Sequence, residues 1–223
     1  ATATQVAFVQ QPTDALASAT IAPAVTVQLR DAASNPVAVA GTTITLTLTS
    51  GTGTLSGATS QVTNASGLAT FIDLSVDLAG LKQLTAASAG LTSAVSDAFT
   101  ITAGPASQLV YVQPPTPAAP GATISPAVTV QLRDAATNPV AVAGTTVTLS
   151  LTSGTGALSG TTSQLTNASG LATFNDLSVD TAGPKQLTAA SAGLTSVVSN
   201  TFSITSATAT QVAFVQQPTD ALA

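Results

Sequence analysis

Cysteine, histidine, methionine and tryptophan are all absent from the 223 residues, and all nine acidic residues are aspartate. Without thiol or imidazole there is no thiolate nucleophile, no side chain poised to exchange protons near neutral pH, and none of the nitrogen and sulfur ligands that hold zinc. Ser, Thr, Asp and two Lys without a histidine form no credible catalytic constellation, so the chain reads as a non-enzyme that needs no cofactor. Charge is equally scarce. Charged residues make up 6% of the chain, where an ordinary globular protein carries about 25%. Four basic residues cannot neutralise a phosphate backbone, which excludes nucleic acid as a partner. No apolar run approaches the roughly 18 residues of a membrane span, and no basic-then-apolar leader opens the chain. A segment without a leader is expected to be the interior of something longer.

What the sequence has in abundance is itself. Residues 25–33 (VTVQLRDAA) return as 128–136, residues 67–71 (GLATF) as 170–174, and residues 82–93 (KQLTAASAGLTS) as 185–196, each displaced by 103 positions without a gap. About three quarters of the aligned positions are identical, the self-similarity of a tandem array. The first seventeen residues reappear as residues 207–223. The expected organisation is therefore a repeat over 1–103, a second over 104–206, and the first strand of a third over 207–223. Seventeen residues cannot bury a core. Gln211, Val212, Ala213, Phe214 and Val215 are thus expected either to continue into a third domain or to be donated to a sheet edge of a neighbour.

Within a repeat, apolar and hydroxylated residues alternate with the period of a half-buried strand. Ile44, Leu46 and Leu48 point one way while Thr43, Thr45, Thr47 and Thr49 point the other; Val25, Val27 and Leu29 alternate with Thr26, Gln28 and Arg30. Turn residues interrupt these runs at 31–36 (DAASNP), 51–57 (GTGTLSG), 64–67 (NASG), 79–80 and 89–90. The pattern predicts strands over 4–10, 24–30, 42–50, 60–63, 68–76, 82–88 and 93–102, and no helix. Seven short strands in about 100 residues predict an all-β fold of tandem immunoglobulin-like sandwiches joined by short linkers. Val6, Phe8, Val25, Val27, Leu29, Ile44, Leu46, Leu48, Phe71, Leu74, Leu84, Val95, Phe99 and Ile101 are the expected core.

The runs VTVQLRDAASNPV (25–37), TNASGLATF (63–71) and KQLTAASAG (82–90) resemble the bacterial immunoglobulin-like domains of the invasin and intimin type. That resemblance implies seven-stranded sandwiches strung in tandem from a bacterial cell surface. In such proteins the receptor-binding chemistry sits in a distinct tip, and nothing in this chain resembles one.

The sequence between the repeats speaks to mechanics. Ala103, Gly104, Pro105, Ala106 and Ser107 form a five-residue connection whose proline restricts its own backbone and the residue before it, which predicts a semi-rigid joint. A low-charge surface of Thr, Ser and Ala does little to keep neighbours apart. The expected partners are identical repeats in the same chain and identical neighbouring chains in a filament. The reading is a structural spacer of an extracellular, cell-surface or secreted bacterial fibre. The competing reading is an adhesin-type module that grips a glycan or host protein through loops at one sandwich end.

Smaller motifs have plain explanations. Asn64 and Asn167 begin Asn-Ala-Ser sequons, yet an Asn three residues before Gly also suits a tight strand connection. Asp73 and Asp77 are expected as solvated turn residues, Arg30 beside Asp31 as a surface ion pair, and Lys82 and Lys185 as charges guarding a sheet edge.

Overall fold

The computed structural model describes residues 1–205, so the segment holding Gln211, Val212, Ala213, Phe214 and Val215 lies outside the described residues. The described residues separate into two compact units, one of Ala1–Gln108 with Leu132–Val142 and one of Leu109–Gln131 with the described residues from Ala143 onward. No helix occurs among the described residues.

In the first unit the strands are β1 (Gln5–Gln10), β2 (Ala15–Leu16), β3 (Val25–Arg30), β4 (Thr43–Ser50), β5 (Leu55–Ser56), β6 (Ser60–Val62), β7 (Leu68–Phe71), β8 (Ser75–Val76), β9 (Gly80–Ala87), β10 (Ala94–Val95) and β11 (Phe99–Thr102). One sheet has the order β1-β3-β7; the other runs β2-β11-β9-β4-β6, with β10 also on β9 and a small β5–β8 pair beside them. The chain passes from β3 in one sheet to β4 in the other, back to β7 in the first and across again to β9, which is the crossing pattern of an immunoglobulin-like sandwich. Period-two alternation explains which face each strand buries: Val25, Val27 and Leu29 of β3 and Ile44 and Leu46 of β4 are buried, while Thr43, Thr45 and Thr47 face solvent. Phe71, Leu74, Leu84, Phe99 and Ile101 complete the expected core, and Phe8 and Leu48 pack against it half-buried.

Two expectations are corrected. Val95 does not enter the core and is 58% exposed. The predicted strand 93–102 breaks after Val95, and buried Ser96 takes the inward place because its hydroxyl accepts Leu84 N–H (2.9 Å) and donates to Asp97 O (2.8 Å). Lys82 and Lys185 do not guard an edge. Each is 1% exposed, because Lys82, Leu84 and Ala86 occupy alternate, inward positions of β9.

The strands of the second copy are β12 (Gln108–Gln113), β13 (Val128–Arg133), β14 (Thr146–Ser153), β15 (Leu158–Ser159), β16 (Ser163–Leu165), β17 (Leu171–Phe174), β18 (Ser178–Val179), β19 (Gly183–Ala190), β20 (Val197–Val198) and β21 (Phe202–Ile204). They form sheets β12-β13-β17 and β16-β14-β19-β20, with β21 on β19 and a β15–β18 pair. Val128, Val130, Val147, Leu149, Phe174 and Leu187 are buried as their counterparts are. Tyr111, matching Phe8, is half-buried, its hydroxyl donates to Leu187 O (3.1 Å), and burial pushes the phenol pKa up.

Candidate functional site

The described residues concentrate their polar organisation in the loops, where most of the aspartates accept backbone N–H groups. The loop after β3 is built on Asp31. Its Oδ1 accepts Ala33 N–H (3.0 Å) and Asn35 N–H (2.8 Å), its Oδ2 accepts the Asn35 side-chain amide (3.2 Å), and Ser34 takes a left-handed φ of 65°. The Asn35 bonds, backbone first, hold the Asp31 carboxyl below the ordinary carboxylate range. The Arg30 guanidinium donates to Ser34 O (2.6 Å), so this arginine closes the loop where an ion pair was expected.

Residues 134–139 repeat the loop: Asp134 Oδ1 accepts Asn138 N–H (2.8 Å), and Thr137 has a φ of 68°. Here the same residues are buried, Asp134 and Asn138 each to 3% exposure. Asn138 Nδ2 donates to Asp77 O (2.9 Å), its Oδ1 accepts Ala79 N–H (2.8 Å), and Asp134 Oδ2 accepts Gly104 N–H (2.9 Å). Burial pushes the Asp134 carboxyl pKa up, but bonds from the Asn138 side chain, Gly104 N–H and Asn138 N–H outweigh it and leave the pKa lowered. All these residues belong to the first compact unit.

The joint residues Ala103, Gly104, Pro105, Ala106 and Ser107 lie outside any strand; besides the Gly104 bond, Ser107 N–H donates to Arg133 O (2.8 Å). Asp73 and Asp77 do not share one site. Asp73 Oδ1 accepts Ala58 N–H (2.9 Å) and Asp77 Oδ1 accepts Thr54 N–H (2.7 Å), so each ties down a separate turn. Asp176 and Asp180 do the same with Thr161 and Ala157 (2.9 and 2.8 Å). Among the described residues no group of three or more potential ligand side chains could hold a metal.

Asn64 and Asn167 are exposed and shape identical turns. Asn64 Oδ1 accepts Ser66 N–H (2.9 Å) and Leu68 N–H (3.1 Å), and Asn167 Oδ1 accepts Ser169 and Leu171 N–H at 2.9 and 3.1 Å. The Thr faces are hydrogen-bonded along the surface, Thr49 to Thr85 (2.5 Å) and Thr152 to Thr188. Beside each lies an open depression, of about 500 Å³ at Thr43, Thr45 and Ser88 and about 430 Å³ at Thr146, Thr148 and Ser191. Neither is lined by a charged or aromatic side chain, so neither offers a reagent or a stacking platform.

Sequence reasoning missed the buried lysines. Lys82 Nζ donates to Ala79 O (3.3 Å), and Lys185 Nζ to Ala182 O (3.4 Å). A Cβ at Gly51 would lie 2.7 Å from Lys82 Cδ and 2.4 Å from Leu81 O, so this glycine roofs the lysine. The inward phase shared with Leu84 and Ala86 was the signal.

No protein family matches the chain, and no curated protein does. Solved structures do. The D0-D1 domain of intimin is similar at 24% identity and a TM-score of 0.35, covering 89% of this chain and 97% of that one. The Yersinia pseudotuberculosis adhesin InvE is similar at 23% identity and a TM-score of 0.36 over 90% of this chain, and the Escherichia coli adhesin FdeC at 20% and 0.41 over 89%. The chain spans 58% of the InvE chain and 64% of the FdeC chain. These proteins are of the type that residues 25–37, 63–71 and 82–90 resemble.

Proposed function

We propose that the chain is a structural spacer of a bacterial fibre at the cell surface or secreted from it, with immunoglobulin-like repeats over 1–103 and 104–206. One observation carries the reading: apart from the two-residue β2, the strands of the first copy all recur in the second, and both copies have the same self-satisfied loops, with carboxylates spent on backbone N–H groups instead of being left free for a ligand. A module whose polar side chains serve its own turns is suited to holding a distance. The joint Ala103–Ser107 is the semi-rigid element of this spacer, and its partners are identical repeats and identical chains. The exposed Asn64 and Asn167 turns are where a surface glycan would attach.

Electron microscopy of arrays with two, four and six repeats tests the reading. Contour length should grow linearly with repeat number. Compact particles whose length does not grow would overturn it, and retention on glycan or host-protein arrays by dispersed molecules would replace it with an adhesin-type module.

A further inference from the structure

One carboxylate holds both the connection 103–107 and the loop after β13, and its bonding leaves no place for a proton. Asp134 is 3% exposed, and its oxygens accept Gly104 N–H (2.9 Å), Asn138 N–H (2.8 Å) and the Asn138 amide nitrogen (3.2 and 3.0 Å). Each of these partners is a donor. Asn138 in turn faces one way: with Nδ2 on Asp134 it also donates to Asp77 O (2.9 Å), and its Oδ1 accepts Ala79 N–H (2.8 Å). A protonated Asp134 sets an O–H against one of these N–H groups. Turning the Asn138 amide to accept that hydrogen would aim Nδ2 at Ala79 N–H and Oδ1 at Asp77 O, donor on donor and acceptor on acceptor. The charge on Asp134 therefore selects the amide orientation that grips the 77–79 turn. All of these residues lie in the first compact unit.

We propose that Asp134 is an acid-operated clip on residues 103–107: ionised, it orders Gly104 and points Asn138 at the 77–79 turn, and protonated, it releases both. The charged side chains on the elements that meet here are engaged elsewhere. Arg133 donates to Thr137 O, Lys82 to Ala79 O, Asp77 accepts Thr54 N–H and Asp14 accepts Thr100 N–H. Burial pushes the Asp134 carboxyl up, and the bonds from Asn138 and Gly104 outweigh it, so the clip is closed at neutral pH and opens as pH falls through the lowered folded value. Ser107 N–H on Arg133 O (2.8 Å) and the Gln108 side chain on Asp134 O (2.6 Å) use backbone acceptors, so opening loosens 103–106 while β12 stays in place. The inference rests on the spacer reading and adds acid control to its semi-rigid joint.

Amide NMR of the 223-residue chain tests the clip. In the wild type the Gly104 amide and the Asn138 side-chain amide should titrate together, with one midpoint below about 3.9, while the Leu84 amide keeps its folded position. Asp134→Asn at neutral pH should show the acid positions of both signals, with hydrogen exchange at Gly104 about 10- to 100-fold faster. Asp31→Asn, in the matching loop of the first copy, should leave Gly104 unchanged, and dispersed spectra confirm that both variants fold. The proposal is overturned if Gly104 is as protected in Asp134→Asn as in the wild type, or if its amide moves in acid only together with Leu84. If the clip fails while contour length still follows repeat number, the acid control is wrong and the spacer reading stands.

Discussion

Gly67→Ala and Gly90→Ala form a matched pair in which one physical cause can be isolated. Both glycines have a φ of 75°, so an alanine at either carries the same left-handed backbone cost, roughly 1 kcal/mol. Their surroundings differ. A Cβ at Gly90 meets nothing within 4 Å, whereas at Gly67 it would lie 1.9 Å from Val37 O and 3.0 Å from Gln28 Nε2. The nearest obstacle is backbone, so the chain itself must move. Moving it disturbs the Leu29 N–H bond to Gly67 O (3.0 Å) and the Gln28 Nε2 bonds to Ser66 O and Gly67 O (2.9 and 3.1 Å), all beside a buried glutamine. A buried polar group left without its partner costs about 1 to 3 kcal/mol. Gly67→Ala should therefore cost about 2 to 4 kcal/mol against about 1 kcal/mol for Gly90→Ala. For a domain near 100 residues that corresponds to a Tm lower by about 10 to 30 °C against about 4 to 8 °C. Scanning calorimetry of the two variants and the parent decides the matter, with the affected transition followed separately from that of the unmodified copy. Equal losses at the two positions would refute the steric argument.

Three further outcomes are expected. Lys82→Met keeps the length of a side chain whose ammonium has one hydrogen bond, at 3.3 Å, and removes the burial cost of the charge; urea unfolding should show no loss, or a gain of about 1 to 4 kcal/mol, and a loss beyond 1 kcal/mol would contradict it. The carboxyl pKa values of Asp31, Asp134, Asp176 and Asp180 are lowered on folding, so their contribution is present above the unfolded value near 3.9 and disappears as pH falls through the lower folded values. Unfolding midpoints should thus be flat from about pH 5 to 8 and drop below about pH 4; a decline already at pH 5 would count against the carboxylate account. Ala17→Pro deletes the donor of the 2.8 Å bond to Thr102 O and should lower stability by about 0.5 to 1.5 kcal/mol in the same assay, an unchanged midpoint refuting a role for that bond.

Alternation made the sandwich legible in the sequence: β3 and β4 bury the residues their period predicts, and the Thr face is exposed as expected. Reasoning failed where a side chain's own bonding outweighed its class. Ser96 is polar yet buried because it bridges Leu84 N–H and Asp97 O, and Val95 is turned out as a result. Lys82 was placed by residue type when its strand phase pointed inward. The loops were legible as turns, but not as turns that use aspartates from distant strands, since Asp77 and Thr54 stand 23 residues apart. The two copies of the 31–36 loop differ only in Ser34 against Thr137, which does not foretell the contrast in exposure between Asn35 and Asn138.

The short parallel pairing of β2 with β11 has a mechanical meaning. Ala15 and Leu16, near the start of the repeat, lie against Ile101 and Thr102 at its end. When the two ends of that stretch of chain are drawn apart, the strands slide along each other and their bonds carry the load together, instead of opening one after another as in a peeled hairpin. Tension applied between these two ends would thus be met first by the β2–β11 pairing, before the force reaches the buried layer behind it.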